Sequence, residues 1–285
     1  MNVMWQSAGT VAEATRAKLS VLILTKNEEA VIARAIHGVT WADEILVVDS
    51  GSTDRTVEIA ESLGARVVRQ PWLGWVEQHR FVVEQAAHDW VFSLDADEVL
   101  TPELALSLQR VLASGPDPRD GYALHRAEEF LGRIMPNSRR RTKRLNFIRL
   151  FNRLYGNWDP QQVIHEEVRV PGRAVMLNGV LLHWRNYRIT EQMRTLNGNS
   201  DLEAEMLQKR GPMLLFGLVC KPALRFGWIY LVHGAWRYGG RGFIWAGLHA
   251  TAEFLRHAKA WEALHSRPAP HPPGFAVEPP PKAAP

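Results

Sequence analysis

The chain has 285 residues, 46% hydrophobic and 22% charged, which is enough to bury an ordinary core in one or two domains. Its single cysteine, Cys220, excludes an intramolecular disulfide or a cysteine metal cage, and MNVMWQSAGTVAEATRA lacks the basic start and apolar run of a signal peptide. Both points favour the cytoplasm. The formal net charge is +4, yet acidic residues dominate the first half while Arg and Lys crowd Ser138 to Arg153, so an anionic partner is expected: a nucleotide, a phosphorylated glycan or a lipid surface.

In chain order, 1–18 reads as a weakly structured lead-in. Leu19 to Leu24 (LSVLIL) is a short apolar run with the pattern of a buried parallel strand. Glu28 to Val39 has helical spacing, with Ala30, Ile32, Ala33 and Ile36 on one face. A second buried strand, Glu44 to Val48, runs into the turn-forming cluster Asp49-Ser50-Gly51-Ser52-Thr53-Asp54. Thr56 to Leu63 is a helix closed by Gly64. Ala65 to Arg69 is a third strand, Trp75 to Ala87 a third helix, and Trp90 to Leu94 a fourth strand ending at Asp95-Ala96-Asp97-Glu98. Strands alternating with helices in this way imply βαβ units on a parallel sheet, with ligands at the carboxyl ends of the strands.

Beyond Thr101 the pattern loosens. Pro102 to Ser114 reads as a helix, and Gly121 to His125 and Phe147 to Phe151 as short strands flanking the basic stretch. Val163 to Val170 and Val175 to Trp184 are expected to pair as strands, and Thr190 to Arg210 to form a polar helix. From Gly211 to Leu264 the chain is rich in glycine and aromatics, interrupted by Arg225, Arg237, Arg241 and Arg256. With no stretch of uncharged apolar residues long enough to span, it fails the transmembrane criterion and reads as amphipathic helices lying in a membrane interface. The expected division is a lead-in at 1–18, a catalytic domain at 19–210, an interfacial helical segment at 211–265 and a Pro-rich disordered tail at 266–285.

Asp95-Ala96-Asp97 carries the most chemical information. Two carboxylates one residue apart, leaving a strand, can hold a hard divalent cation that bridges a diphosphate, offsetting charge on a departing nucleotide. The plainer reading of such a pair is an exposed strand-to-loop turn, and the second acidic strand end at Asp49 weighs against it. Asp49 is placed to accept hydrogen bonds from a base or ribose. Asp54 fits a cap on the helix beginning near Thr56 at least as well as a ligand contact. Thr25-Lys26-Asn27-Glu28 ends the first strand where a nucleotide would lie, though Asn27 could equally cap the first helix. Glu166 could deprotonate an acceptor hydroxyl and His165 could ligate metal, against the plainer reading of a solvated surface strand. His183 in LLHW reads as a satisfied core histidine. The run Arg139-Arg140-Arg141, Lys143 and Arg144 is either a solvated face or a site for phosphates or lipid headgroups.

Taken together, LSVLILTKNEE, WADEILVVDSGSTDRTVEIAESLGARV and WVFSLDADE, followed by HRAEEFLGR, FIRLFNR, VIHEEV, LLHWRNY and FLRHAKAWE, resemble the family 2 glycosyltransferases of GT-A fold, in particular bacterial lipopolysaccharide core β-1,4-glucosyltransferases. The resemblance implies an α/β fold with a mostly parallel sheet, and transfer of a sugar from a nucleotide donor, UDP-linked for preference. It implies that Asp49 contacts the nucleobase, and that Asp95 and Asp97 serve the diphosphate and its Mg²⁺ or Mn²⁺; His165, read from its residue type alone, remains a candidate metal ligand or phosphate contact. Thr25, Asn27 and Glu28 would line the nucleotide pocket. The family's QRN-like stretch reads Gln78-His79-Arg80-Phe81 here, placing Gln78 and Arg80 on the nucleotide side. Glu166, in a motif usually written VHE, becomes the general base of an inverting displacement, with Asp97 the other catalytic residue.

Two rival readings are weaker. A haloacid-dehalogenase-type phosphatase would also use an Asp95/Asp97 pair, but on its first strand, whereas three strands precede the pair here. A non-catalytic basic protein binding membranes or nucleic acid explains the arginines but not the acidic strand ends. The expected partners are a nucleotide sugar, a glycolipid or lipid-linked acceptor (polyprenyl phosphate among them) and the inner face of the cytoplasmic membrane, with no nucleic acid.

Overall fold

The protein's structure, a computed structural model, describes residues 16–135, 147–160, 167–185, 188–207 and 213–265. It divides into two compact units: the residues up to Arg188 with His233–Gly242, and Ile189–Val232 with the chain from Phe243 onward.

The first unit begins with the alternation read from the sequence: β1 (Leu19–Thr25), α1 (Ile32–His37), β2 (Glu44–Asp49), α2 (Thr56–Ser62), β3 (Arg66–Arg69), α3 (Trp75–Gln85) and β4 (Trp90–Asp95). It continues through β5 (Glu98–Leu100), α4 (Pro102–Ala113), β6 (Gly121–Phe130), β7 (Arg133–Ile134), β8 (Ile148–Asn152), β9 (Asn157–Trp158), β10 (Val168–Arg169) and β11 (Ala174–His183). One mixed sheet runs β3-β2-β1-β4-β8-β6-β11-β5, with β7 added to β6. β1 to β4 are mutually parallel, β8 enters antiparallel between β4 and β6, and β11 is parallel to β6 and antiparallel to β5.

The sheet is sandwiched because its strands are apolar on both faces. Leu19, Val21 and Ile23 of β1 pack with Phe92 and Leu94 of β4 against Ile32 and Ile36 of α1 and Leu104 and Leu108 of α4. Leu22 and Val91 face the other way, onto Val76, Val82 and Val83 of α3. Burying each such side chain contributes about 1.5–3 kcal/mol. Helix ends follow local chemistry. Thr101 accepts from the Leu104 amide ahead of Pro102, the first residue of α4. At the end of α2, Gly64 (φ +84°) donates to the Glu61 carbonyl and Ala65 to the Ala60 carbonyl, a complete Schellman closure.

Three expectations are corrected. The first helix starts at Ile32, not Glu28, because Asn27 sits at φ +56° and the Glu28 carbonyl accepts from the Val31 and Ile32 amides in a preceding turn. Val168–Arg169 pairs with Asn157–Trp158, whereas β11 joins the main sheet beside β6, so the two segments expected to pair do not. β11 also presses on α4: Gly179 has φ +98°, and a Cβ there would overlap the Leu104 backbone.

The second unit contains α5 (Ile189–Leu207), α6 (Met213–Gly227) continued by a π-helical turn at Trp228–Val232, and most of α7 (Gly240–His265). The third correction is here. Leu215–Val232 has a mean hydropathy of 1.4 over 18 residues, and its only charges are Lys221 and Arg225. By length and composition it could cross a membrane. Requiring an uncharged stretch was too strict, since two charges do not outweigh sixteen neighbours. The basic run at Arg139–Arg144, the segment holding His165 and Glu166, and the tail at 266–285 lie outside the described residues.

Candidate active site at the carboxyl ends of the strands

β1 lies between β2 and β4 in register, Thr25 opposite Asp49 and Leu24 opposite Asp95, so three of the expected strand ends meet at one edge. The loops after β1 and β2 are stitched together by short polar side chains. The Asn27 carboxamide oxygen accepts from the Thr53 amide (2.8 Å), and the Asn27 amide donates to Ser52 Oγ (2.8 Å). The Glu28 amide donates to Thr56 Oγ1 (2.7 Å), and the Glu29 amide to Asp54 (3.2 Å). Asp54 also accepts from the Thr56 amide at the start of α2, which is the capping reading of that residue. Asn27 does not cap α1. It adopts the left-handed conformation that Asn tolerates better than most residues and fixes the loop instead.

Asp49 is 2% exposed and accepts from the Gly51 and Ser52 amides and from Ser52 Oγ. Its first role is to hold this turn, with part of its acceptor capacity left over. Thr25 is buried beside it, and its hydroxyl has no hydrogen-bond partner among the described residues. Gln78 is fully buried: its carboxamide donates to Ser50 Oγ (3.1 Å) and accepts from the Leu73 amide (3.1 Å). It therefore positions the turn from behind and offers no surface to a ligand, contrary to its expected direct contact. Arg80 leaves the same helix towards β9, donating to the Trp158 carbonyl (3.2 Å), while His79 is buried face to face with Trp158 at 4.0 Å.

Asp95 and Asp97 face different surroundings. Asp95 pairs with Arg149 of β8 (3.2 Å), and its amide donates to the Glu98 carboxylate (3.0 Å). Glu98 is wholly buried under the turn, 2.9 Å from Arg126 of β6 and 3.8 Å from Arg149. Burial raises the Asp95 carboxyl, but Arg149, Arg126 and His79 more than offset it, leaving it below the usual range. Burial and the neighbouring Asp95 push Glu98 up. Asp97 is met from the far end of the domain. Its Oδ2 lies 2.9 Å from His183 Nε2 and accepts from Arg185 (2.9 Å), whose other nitrogen reaches Glu28 at 2.7 Å. Despite burial, His183 and Arg185 hold the Asp97 carboxyl far below the ordinary range.

His183 arrives there because β11 pairs antiparallel with β5, setting His183 opposite Glu98, next in sequence to Asp97. The sequence reading left it in the core, and also missed Arg185, Glu98, Arg126 and Arg149. The one available signal was that HRAEEF, FIRLF and LLHWR each carry a charged or imidazole side chain within an apolar strand.

Among the described residues, no three His, Cys, Asp or Glu side chains converge into a closed metal cage. The Asp97–His183 pair nonetheless suits Mg²⁺ or Mn²⁺, since such ions bind through one or two side chains and complete their shells with phosphate oxygens and water. The pocket already seats a cation, the Arg185 guanidinium, on Asp97 and Glu28.

Residues 20–165, half of the chain and most of this edge, match the family model for glycosyl transferase family 2. The chain belongs to that family. A family 2 glycosyltransferase of GT-A fold accounts for the curled, mostly parallel sheet and the acidic strand ends. The chain is similar to an uncharacterized glycosyltransferase of Rickettsia typhi, 34% identical over 262 residues covering 88% of this chain and 89% of the relative. It is equally similar to the lipopolysaccharide core biosynthesis glycosyltransferase LpsC of Rhizobium meliloti, 34% identical over 260 residues covering 88% and 95%. Among solved structures, glucosyl-3-phosphoglycerate synthase from Mycobacterium tuberculosis, with Mn²⁺, UDP and glucosyl-3-phosphoglycerate, is 20% identical over 73% of this chain and 87% of that one, at a TM-score of 0.45. This glycosyltransferase thus spans most of the length of its curated relatives.

Proposed function

We propose that this glycosyltransferase moves a sugar from a nucleoside diphosphate donor, a UDP-sugar, to a glycan or lipid-linked acceptor in cell-envelope synthesis of the lipopolysaccharide core type. The observation that carries the reading is the meeting of Asp97, His183, Arg185 and Glu28 at the carboxyl edge of the sheet, where parallel sheets take their ligands. Similarity to LpsC along nearly its whole length supports the envelope acceptor.

Asp97 and His183 would hold Mg²⁺ or Mn²⁺, with Asp95 alongside. When bound, that ion supplies charge compensation for the departing nucleoside diphosphate. Held ionised, Asp97 stays a competent ligand at neutral pH. The buried Thr25 hydroxyl and the spare acceptor capacity of Asp49 face the nucleoside, on a shelf kept rigid by Asn27, Ser52, Thr53 and Gln78. Arg185 can exchange its carboxylate partners for phosphate oxygens, to which a guanidinium binds as a fork. Glu166, on the strength of its motif, removes the acceptor hydroxyl proton in an inverting displacement. Positioning two substrates over one edge supplies much of the rate.

Titration calorimetry of UDP, UDP-glucose and other nucleotide sugars, with and without Mn²⁺, tests the reading on wild type, Asp97→Asn and His183→Ala. Metal-dependent binding weakened about tenfold or more by each substitution is expected, ~1.4 kcal/mol or above. Nucleotide binding indifferent to Mn²⁺ and to both substitutions would overturn it.

A further inference from the structure

The helical unit carries an apolar stripe that its own helices leave uncovered. Leu215, Val219, Ala223, Trp228 and Val232 are all exposed, at spacings of four, four, five and four residues. The exposed positions continue from α6 into the π-helical turn at Trp228–Val232. Phe216, Leu224 and Leu231 flank it, each more than half exposed. Only 11% of the Leu215–Val232 window is buried within the protein.

Several charges of the unit have partners within it. Lys221 Nζ lies 3.2 Å from Nε2 of His257 on α7, and His257, 1% exposed, has its Nδ1 2.7 Å from the Glu253 carbonyl. A proton on Nδ1 leaves Nε2 to accept from the lysine. Gly217 makes the approach possible, since a Cβ there would overlap the His257 ring. Arg256 pairs with Glu203 and Glu253, and Lys259 with Asp201. The surrounding sequence sets the sign of the partner. From Met206 to Ala252 there is no Asp or Glu, while Lys209, Arg210, Lys221, Arg225, Arg237 and Arg241 fall within it.

We propose that this stripe docks on the anionic leaflet of a lipid bilayer, α6 lying in the headgroup plane with its exposed apolar side chains at the acyl boundary. Such a surface takes up apolar area that needs no polar partner, suits a tryptophan at interfacial depth, and attracts a segment that is basic without acidic relief. A second copy of the chain would instead bring two basic segments together. The proposal stands independently of the sugar-transfer reading.

Flotation of the full-length protein with phosphatidylcholine vesicles, and with vesicles containing phosphatidylglycerol, tests it on wild type, Val219→Glu, Leu224→Glu and Leu231→Glu. These positions are exposed, so the variants keep the helical circular dichroism of the wild type. Expected are binding to anionic vesicles that salt weakens and carbonate releases, about tenfold weaker binding to phosphatidylcholine alone, and a loss of about tenfold or more in each variant. Failure to float, or wild-type flotation by the variants, would overturn the proposal. So would resistance to carbonate, which would make α6 a spanning helix, or a lipid-indifferent dimer broken by Val219→Glu, which would make the stripe a self-association face.

Discussion

Replacing Arg149 by methionine tests how the Asp95–Asp97 turn is held. Arg149 is 6% exposed and sits 3.2 Å from Asp95, 3.8 Å from Glu98, and 3.3 Å from Ser93 Oγ. Methionine fills much of the volume but leaves two carboxylates facing each other, with Arg126 the remaining counter-charge on Glu98. Removing one partner of a buried ion pair costs about 3–5 kcal/mol, mostly for the charge left behind. For a chain of this size that lowers the melting temperature by roughly 6–20 °C, at about 2–4 °C per kcal/mol. Calorimetric melting of the full protein reads this directly. The pH dependence gives a second check. Glu98 already has its carboxyl pushed up by burial and by Asp95. Without Arg149 it rises further, so the folded variant binds a proton that the unfolded chain releases. Stability of the variant therefore improves as pH falls from neutrality towards the ordinary carboxylate range, and Glu98→Gln added to Arg149→Met recovers part of the loss. A melting temperature within a degree or two of wild type, with no pH-dependent recovery, would refute this account of the cluster.

Three further outcomes follow from the same structure. Gly179→Ala forces a side chain onto a residue at φ +98° and into the Leu104 backbone, so urea titration should show a loss of about 1–3 kcal/mol or more. Burial holds the His79 imidazole down at about 4, with Asp95 opposing and Arg149 adding to it, so the fold accepts only the neutral ring. Its stability contribution is complete above pH 6.5 and is lost as pH falls towards 4, by roughly 3 kcal/mol in all, and His79→Phe should flatten that slope in denaturation curves. Glu166→Gln should retain nucleotide-sugar binding while abolishing transfer, and wild-type turnover would remove Glu166 from the role of base.

The first half of the sheet was legible because each element there is specified by residues close in sequence. LSVLIL, EILVV and WVFSL are buried on both faces, and their ends are marked by turn-forming polar residues, so strand positions and the carboxyl edge could be read directly. What failed was anything decided by distant partners. The start of α1 depends on Asn27 bonding across to Ser52 and Thr53, a contact between two loops rather than a helix cap. Val168–Arg169 has strand character in either pairing, and only the folded structure shows that Trp158 is its neighbour. Gln78 is assigned to the nucleotide side only because it falls on the QRN-like stretch of the family that the sequence resembles. Its burial could not be seen before α3 was packed against the turn.

The active-site half supplied by the later strands explains why the acidic edge is stable before any ligand arrives. Glu28, Asp95, Asp97 and Glu98 would be four formal negative charges at one edge, which a short local motif cannot neutralise. Arg126, Arg149 and Arg185 supply three positive charges from β6, β8 and the end of β11, and each reaches at least one of those carboxylates. The division of labour is uneven. Arg149 is buried, locked against the Asp95 side and aromatic-backed by Phe147 at 4.6 Å, whereas Arg185 stays about a third exposed on the Asp97 side. The buried Arg149 therefore sets the shape of the turn, and the partly exposed Arg185 is the cation placed to exchange partners. That places the adjustable charge beside His183, on the same carboxylate that the proposed divalent ion would need, and leaves Asp95 as the fixed side of the motif. Both Asp97→Asn and Asp95→Asn should act on ligand binding and on folding together, since each removes the charge from a carboxylate ion-paired in the folded protein.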